Sequence, residues 1–270
     1  GRRFDAAGNA LADEFVIAID IEGSAVDVDF NSANGDFVIV WQKSSATDDL
    51  MGRVYDSAGI PKTPELLLAS HPSAYNKPRV AVNASGEFFV VETVDNGGAN
   101  FELYGQLFAA DGTPISSPIV VDVPGGNLDP TRPDIVVDST GKYSVVWETF
   151  DNNSGDEAVY YRQFDANGNP LSGQIKVNSV DAFLYDFFPR ISVSPNDSLV
   201  VVWENPEPNT GTEFGLFVQR IDANGIFVGP NEAIHPLALT ETMPVVSATG
   251  TDAFTLAWVD FRLGSGIFQQ

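Results

Sequence analysis

The sequence predicts an all-β protein, a five-bladed β-propeller of four-stranded antiparallel blades whose last blade is closed by strands from both termini. Three observations predict it. The first is a turn phrase that returns five times, ending at Gly8, Gly59, Gly112, Gly168 and Gly225, at intervals of 51 to 57 residues. A repeat of that length marks a propeller or a solenoid. The second is a Pro-to-Trp spacing of fourteen residues in three units, Pro133 to Trp147, Pro189 to Trp203 and Pro244 to Trp258, with Trp41 in the same slot of the first unit. The third is circular: the last unit stops partway through its third strand, and Arg3-Phe4-Asp5 continues it as Arg220-Ile221-Asp222 continues the fourth unit. A ring closed in this way has no free sheet edge.

The fourth unit shows each strand of the blade. Pro189 to Val193 is a short alternating strand A that ends at Pro195-Asn196-Asp197. Leu199-Val200-Val201-Val202-Trp203 is a continuous apolar run, as expected of a strand covered on both faces. Gly215 to Asp222 forms strand C, Ala223-Asn224-Gly225 turns the chain with Gly at a position of positive φ, and strand D follows near residues 231–235. The blades are placed at about 24–70, 77–124, 132–179, 188–236 and 243–270 plus 1–20, as one domain over 1–270. The fourth strand of the last blade is expected at residues 14–19. In the second unit, Val90-Val91-Glu92-Thr93 reads as the strand with its Trp deleted. A Trp repeated at one slot is expected to be packing between sheets.

These phrases, above all Phe217 to Gly225 and Trp258 to Gly264, resemble the tandem Trp/Asp-x-x-Gly repeats of propeller domains in large bacterial secreted and cell-surface proteins. The resemblance covers nearly the whole chain, but its motifs are structural. It implies an extracellular or cell-surface setting with binding or architectural roles. The chain begins within a repeat and is expected to be part of a longer protein with flanking domains.

Composition narrows the function classes. The chain carries 37 acidic and 14 basic residues, a net charge of −23, which repels nucleic-acid backbones and anionic membranes. It has no cysteine, so disulfides and thiol chemistry are excluded. No apolar run approaches the roughly 18–20 residues of a membrane span.

Function is expected on the face that carries the long, variable D–A and B–C loops. That face holds Tyr75, Arg79, Asp134, Phe183, Tyr185, Phe187 and Arg190, aromatic and charged groups suited to a sugar ring and its hydroxyls. Arg79, Asp134 and Arg190 follow prolines at equivalent slots, so mutual ion pairing competes with an anionic or polyol ligand. Asp151, Asn152, Asp156 and Glu157 form an oxygen-rich loop in which Ca²⁺ is a possible cofactor. His71 and His235 stand alone and assemble no triad or metal site. The expected function is therefore a non-catalytic binding module for a glycan or cell-surface polymer. An architectural adhesin spacer is the first alternative. The second is a glycoside hydrolase using the channel carboxylates Asp27 and Asp134, since glycosidases need two converging carboxyl groups.

Overall fold

The computed structural model describes residues 1–19, 25–44, 47–71, 77–96, 101–122, 128–151, 157–178, 187–206, 214–234, 241–251, 253–260 and 266–269. Among them there are strands and turns and no helix. The first sheet joins β1 (Val26–Phe30), β2 (Phe37–Ser44), β3 (Asp48–Tyr55) and β4 (Leu66–His71) in that order. The second joins β5 (Arg79–Val82), β6 (Phe88–Asp95), β7 (Phe101–Phe108) and β8 (Ile119–Val120). The third is built from β9 (Leu128–Val137), β10 (Tyr143–Asp151), β11 (Glu157–Phe164) and β12 (Ile175–Lys176). The fourth contains β13 (Phe187–Val193), β14 (Leu199–Pro206), β15 (Phe214–Ile221) and β16 (Phe227–Ala233). The last has three strands, β17 (Glu241–Ala248), β18 (Phe254–Asp260) and β19 (Gly266–Gln269). All pairings are antiparallel meanders, and the first strands contact one another in turn, β1 with β5, β5 with β9, β9 with β13 and β13 with β17. Successive sheets stacked through their innermost strands are propeller blades.

The repeated turn owes its shape to one side chain. Asp56, Asp165 and Asp222 each accept two backbone N–H groups through Oδ1, from the residues two and four positions on, and so does Asp5. The chain then needs a left-handed residue, and Gly59 (φ 84°), Gly168 (φ 79°) and Gly225 (φ 81°) supply it. The Asn9 and Asn169 side chains, which also donate to Asp5 and Asp165, and then these backbone bonds hold those two carboxyls below the usual range; for Asp222 the Ile226 N–H leads. Between sheets lies the core. Trp41, Trp147, Trp203 and Trp258 are all buried, each in a different apolar cluster, as their repetition predicts.

Two features differ from the sequence reading. Residues 14–19 form no strand and do not complete the last sheet. Phe15, Ile17 and Ala18 pack instead on Ile39, Trp41, Met51 and Tyr55 of the first sheet, and Arg53 Nη1 donates to the Ile17 carbonyl at 3.1 Å. The outer stripe of β1 stays uncovered, with Val26, Val28 and Phe30 exposed by 57%, 58% and 61%. In the second sheet no residue is deleted. The ladder pairs Glu92 with Tyr104 as it pairs Trp147 with Tyr160, so Glu92 occupies the Trp slot and its carboxylate meets His71 Nε2 at 3.0 Å.

Candidate active site at the channel mouth

The five innermost strands present one residue each at a common level. Asp27 pairs across its sheet with Val40, Arg79 with Val91, Asp134 with Val146, Arg190 with Val202 and Val245 with Ala257. Each partner is the residue just before the Trp slot, so these five positions are equivalent within their sheets. Charge alternates along them: acid, base, acid, base, then apolar.

Both aspartates are fixed by the sheet that follows. Asp27 Oδ2 accepts the Val80 N–H at 2.9 Å, and Asp134 Oδ2 accepts the Ile191 N–H at 3.0 Å. One turn of the pleat along, Asp29 Oδ2 accepts the Val82 N–H at 2.7 Å. Burial pushes the Asp27 carboxyl above its ordinary range, against the pull of the Val80 N–H and of Arg79 and Arg190. Asp134 is also raised by burial, and Asp27 adds to the rise by like-charge repulsion while Arg190 and Arg79 oppose it. The site thus contains two carboxyls that resist ionisation, each within the field of both arginines.

The arginines are held from behind. Arg79 Nη1 donates to the Pro78 carbonyl at 3.1 Å, and Arg190 Nη1 donates to the Pro189 carbonyl at 3.0 Å. Arg79 Nε lies 3.7 Å from Asp134 Oδ1, so the expected ion pairing is present there. Arg190 forms no ion pair among the described residues.

Two further cations reach the same opening from the turns ahead of the prolines. Arg132 (φ 48°), Phe188 (φ 51°) and Met243 (φ 54°) each precede a proline in the left-handed region. There the ladders between first and second strands slip in register. The slip is a β-bulge that re-aims side chains. Arg132 pairs with Glu148 and lies over the Phe188 ring, 4.2 Å from its centroid. The other oxygen of Glu148 accepts the Phe188 N–H at 2.9 Å, and Glu204 takes the Met243 N–H in the same manner one sheet on. The glutamate after each of these tryptophans therefore latches the next sheet's entry turn. Lys77 stands ahead of Pro78. Together Ala25, Val26, Lys77, Arg79, Arg132, Phe188 and Arg190 line a cavity of about 330 Å³.

Of the residues expected to bind a ligand, Arg79, Asp134 and Arg190 converge here. Tyr75, Phe183 and Tyr185 lie outside the described residues, as does the side chain of Phe187. Asn152, Asp156 and the side chain of Asp151 also lie outside them, which leaves Glu157 of the Ca²⁺ loop, at the start of β11. Arg132 and Phe188 belong to the D–A loops on which the sequence places function but not to the expected ligand set, and Lys77 is a further addition. The signal that finds them is position, since each stands directly before the repeat's proline.

No protein-family model matches the sequence, and no curated protein matches it. Solved structures do. An α-L-arabinofuranosidase from Fusarium graminearum is 13% identical over 92% of this chain and 77% of its own, with a TM-score of 0.57. The α-L-arabinanase of Penicillium chrysogenum, in complex with arabinobiose, is 12% identical over 92% and 77%, with a TM-score of 0.58. The endo-arabinase of Bacteroides thetaiotaomicron is 10% identical over 96% and 97%, with a TM-score of 0.52. At these identities the likeness carries the fold. It also corrects the expectation of a non-catalytic module. The three structures named are an arabinofuranosidase, an arabinanase and an endo-arabinase, enzymes rather than non-catalytic binding modules.

Proposed function

We propose that this chain is a glycoside hydrolase that works at the channel mouth with Asp27 and Asp134 as its acid–base pair. One observation carries the reading. Two half-buried carboxyls stand at equivalent positions on the first and third innermost strands, and burial raises the proton affinity of both. Glycoside hydrolysis needs one carboxylic acid to protonate the departing oxygen and a second carboxylate to activate water or attack the anomeric carbon. Two interacting carboxyls in one field titrate as a pair, so a state with one proton between them spans a range of pH. Arg79 and Arg190 stabilise the member that is ionised. The Val80 and Ile191 N–H groups fix the orientation of both.

The reading includes a five-bladed ring in which the sheet of β17 to β19 meets β1, with the five equivalent slots as its support. It also includes an extracellular setting, supported by the strongly acidic composition and by the cell-surface resemblance of the repeat.

The test is a reducing-sugar assay over arabinan, its oligosaccharides and a panel of other plant and bacterial glycans. The wild type should release sugar from at least one of them. Asp27→Asn and Asp134→Asn should each lower that rate by about 10²–10⁴-fold, the usual contribution of a general acid or base. Asn retains an oxygen to accept the Val80 or Ile191 N–H, so the fold should survive. Full activity in Asp134→Asn, or no cleavage across the panel, would overturn the assignment.

A further inference from the structure

A chain of net charge −23 has 14 basic residues, and four of them are among the seven described residues that line one cavity. Among the described residues, no acidic side chain lines that cavity. The nearby described acids are partly engaged elsewhere: Asp27 and Asp134 each give one oxygen to a backbone N–H of the next sheet while staying within the field of Arg79 and Arg190, and Glu148 is held by Arg132, the Thr131 hydroxyl and the Phe188 N–H. Arg190 forms no ion pair among the described residues, and the nearest carboxylate oxygen to Arg79 is at 3.7 Å. Lys77 feels the crowding: burial, and then Arg132, Arg79 and Arg190, hold its ammonium below the usual lysine range, with Glu148 opposing. Like charges gathered in a half-buried cleft raise one another's energy until an anion enters.

We infer that this cavity receives the carboxylate of an acidic sugar, so that the substrate or ligand at the channel mouth is a uronate-bearing glycan. A guanidinium holds a carboxylate by a planar fork of two hydrogen bonds, and Arg79 and Arg190 offer such forks from alternate strands. Ala25, Val26 and the Phe188 ring give the cavity an apolar side against which a sugar ring can lie, and about 330 Å³ suits a single sugar unit. That the bound sugar is also cleaved rests on the hydrolase reading. The charge preference stands apart from it.

Calorimetric titration of the full chain with a uronic-acid oligosaccharide, and with the same oligosaccharide methyl-esterified, tests the inference. The acid form should bind at least about tenfold tighter than the ester at low salt, with the gap shrinking between about 20 and 200 mM NaCl. Arg190→Gln should weaken acid binding about tenfold or more. Lys77→Gln, a more conservative loss, should weaken it several-fold, and neither should change ester binding to the same extent. Equal affinity for acid and ester would overturn the inference. So would preference for a sulfated oligosaccharide or inorganic phosphate over the uronate. If the acid form binds selectively but no glycan is cleaved, the hydrolase reading fails and the ligand class stands. If neutral glycans are cleaved with no preference for charge, the ligand class fails and the hydrolase reading stands.

Discussion

At the scale of single residues, the repeat's tryptophans and aspartates do different work. Trp147 is fully buried and stacks on Tyr160 at 6.1 Å between centroids. Its indole N–H has no hydrogen-bond partner among the described residues, so its contribution is volume and dispersion rather than polar pairing. Trp147→Ala should cost about 3–5 kcal/mol in urea unfolding. Trp147→Phe, which keeps an aromatic ring and loses no hydrogen bond, should cost about 1–2 kcal/mol. Similar costs for both would mean that the indole nitrogen matters in a way its surroundings do not indicate. The buried Trp slot was legible from spacing alone, because four of five units repeat it. Glu92 in that slot was not. An acid in a packing position looks like a gap in an alignment, and only the ladder to Tyr104 shows that the register is unbroken.

At the scale of one blade, the outer edge of the second and third sheets repeats a hydrogen bond with one substitution. Asp122 Oδ1 accepts the Leu103 N–H at 3.0 Å, and Asn178 Oδ1 accepts the Val159 N–H at 3.1 Å in the next unit. Asp122 is buried, and burial pushes its carboxyl up to about 6. The folded state therefore holds a proton that the unfolded chain, with an ordinary carboxyl near 3.8, gives up. The resulting penalty is absent below about pH 4, grows between about 4 and 6, and is complete above 6. Asp122→Asn keeps the acceptor and removes the charge, so it should stabilise the protein at pH 8 by up to about 3 kcal/mol and do nothing at pH 4. Thermal unfolding at the two pH values checks this. A gain of equal size at both would place its origin outside ionisation. The same scale explains what was hidden at the site. Arg79 and Arg190 were found because they follow prolines on strands, where alternation fixes the side chain's direction. Lys77, Arg132 and Phe188 precede those prolines, and at Arg132 and Phe188 the turn is left-handed, a conformation that alternation does not encode.

At the scale of the whole molecule, the five sheets follow the sequence repeat closely, while the way the chain's start is used does not. Alternation holds only at the start of residues 14–19: Phe15 and Ile17 face apolar surface and Val16 faces water, but Ala18 also packs inward and Ile19, in phase with Phe15 and Ile17, is exposed. Alternation says that a face is covered and not what covers it, so the same pattern served equally for a fourth strand on the last sheet and for a strap across the first. The structure takes the second course: Arg53 Nη1 donates to the Ile17 carbonyl and ties the segment to the first sheet, while the Phe15 N–H closes the segment on itself at the Gly1 carbonyl, 2.8 Å away. This leaves β1 with its stripe of Val26, Val28 and Phe30 exposed, and the last sheet with three strands among the described residues. Deleting residues 1–19 separates the two arrangements. As a strap, the segment covers Trp41, Met51 and Tyr55, and its loss should destabilise the fold by about 2–4 kcal/mol through the uncovering of Phe15's and Ile17's partners. Because no residue of 1–19 lines the cavity of Arg79 and Arg190, the truncated protein should keep the charge preference of the channel mouth. A deletion that left stability unchanged would show that these contacts contribute nothing. One that loosened the last sheet first, read by hydrogen exchange in β18 and β19, would assign the segment to the seam instead of to the first sheet.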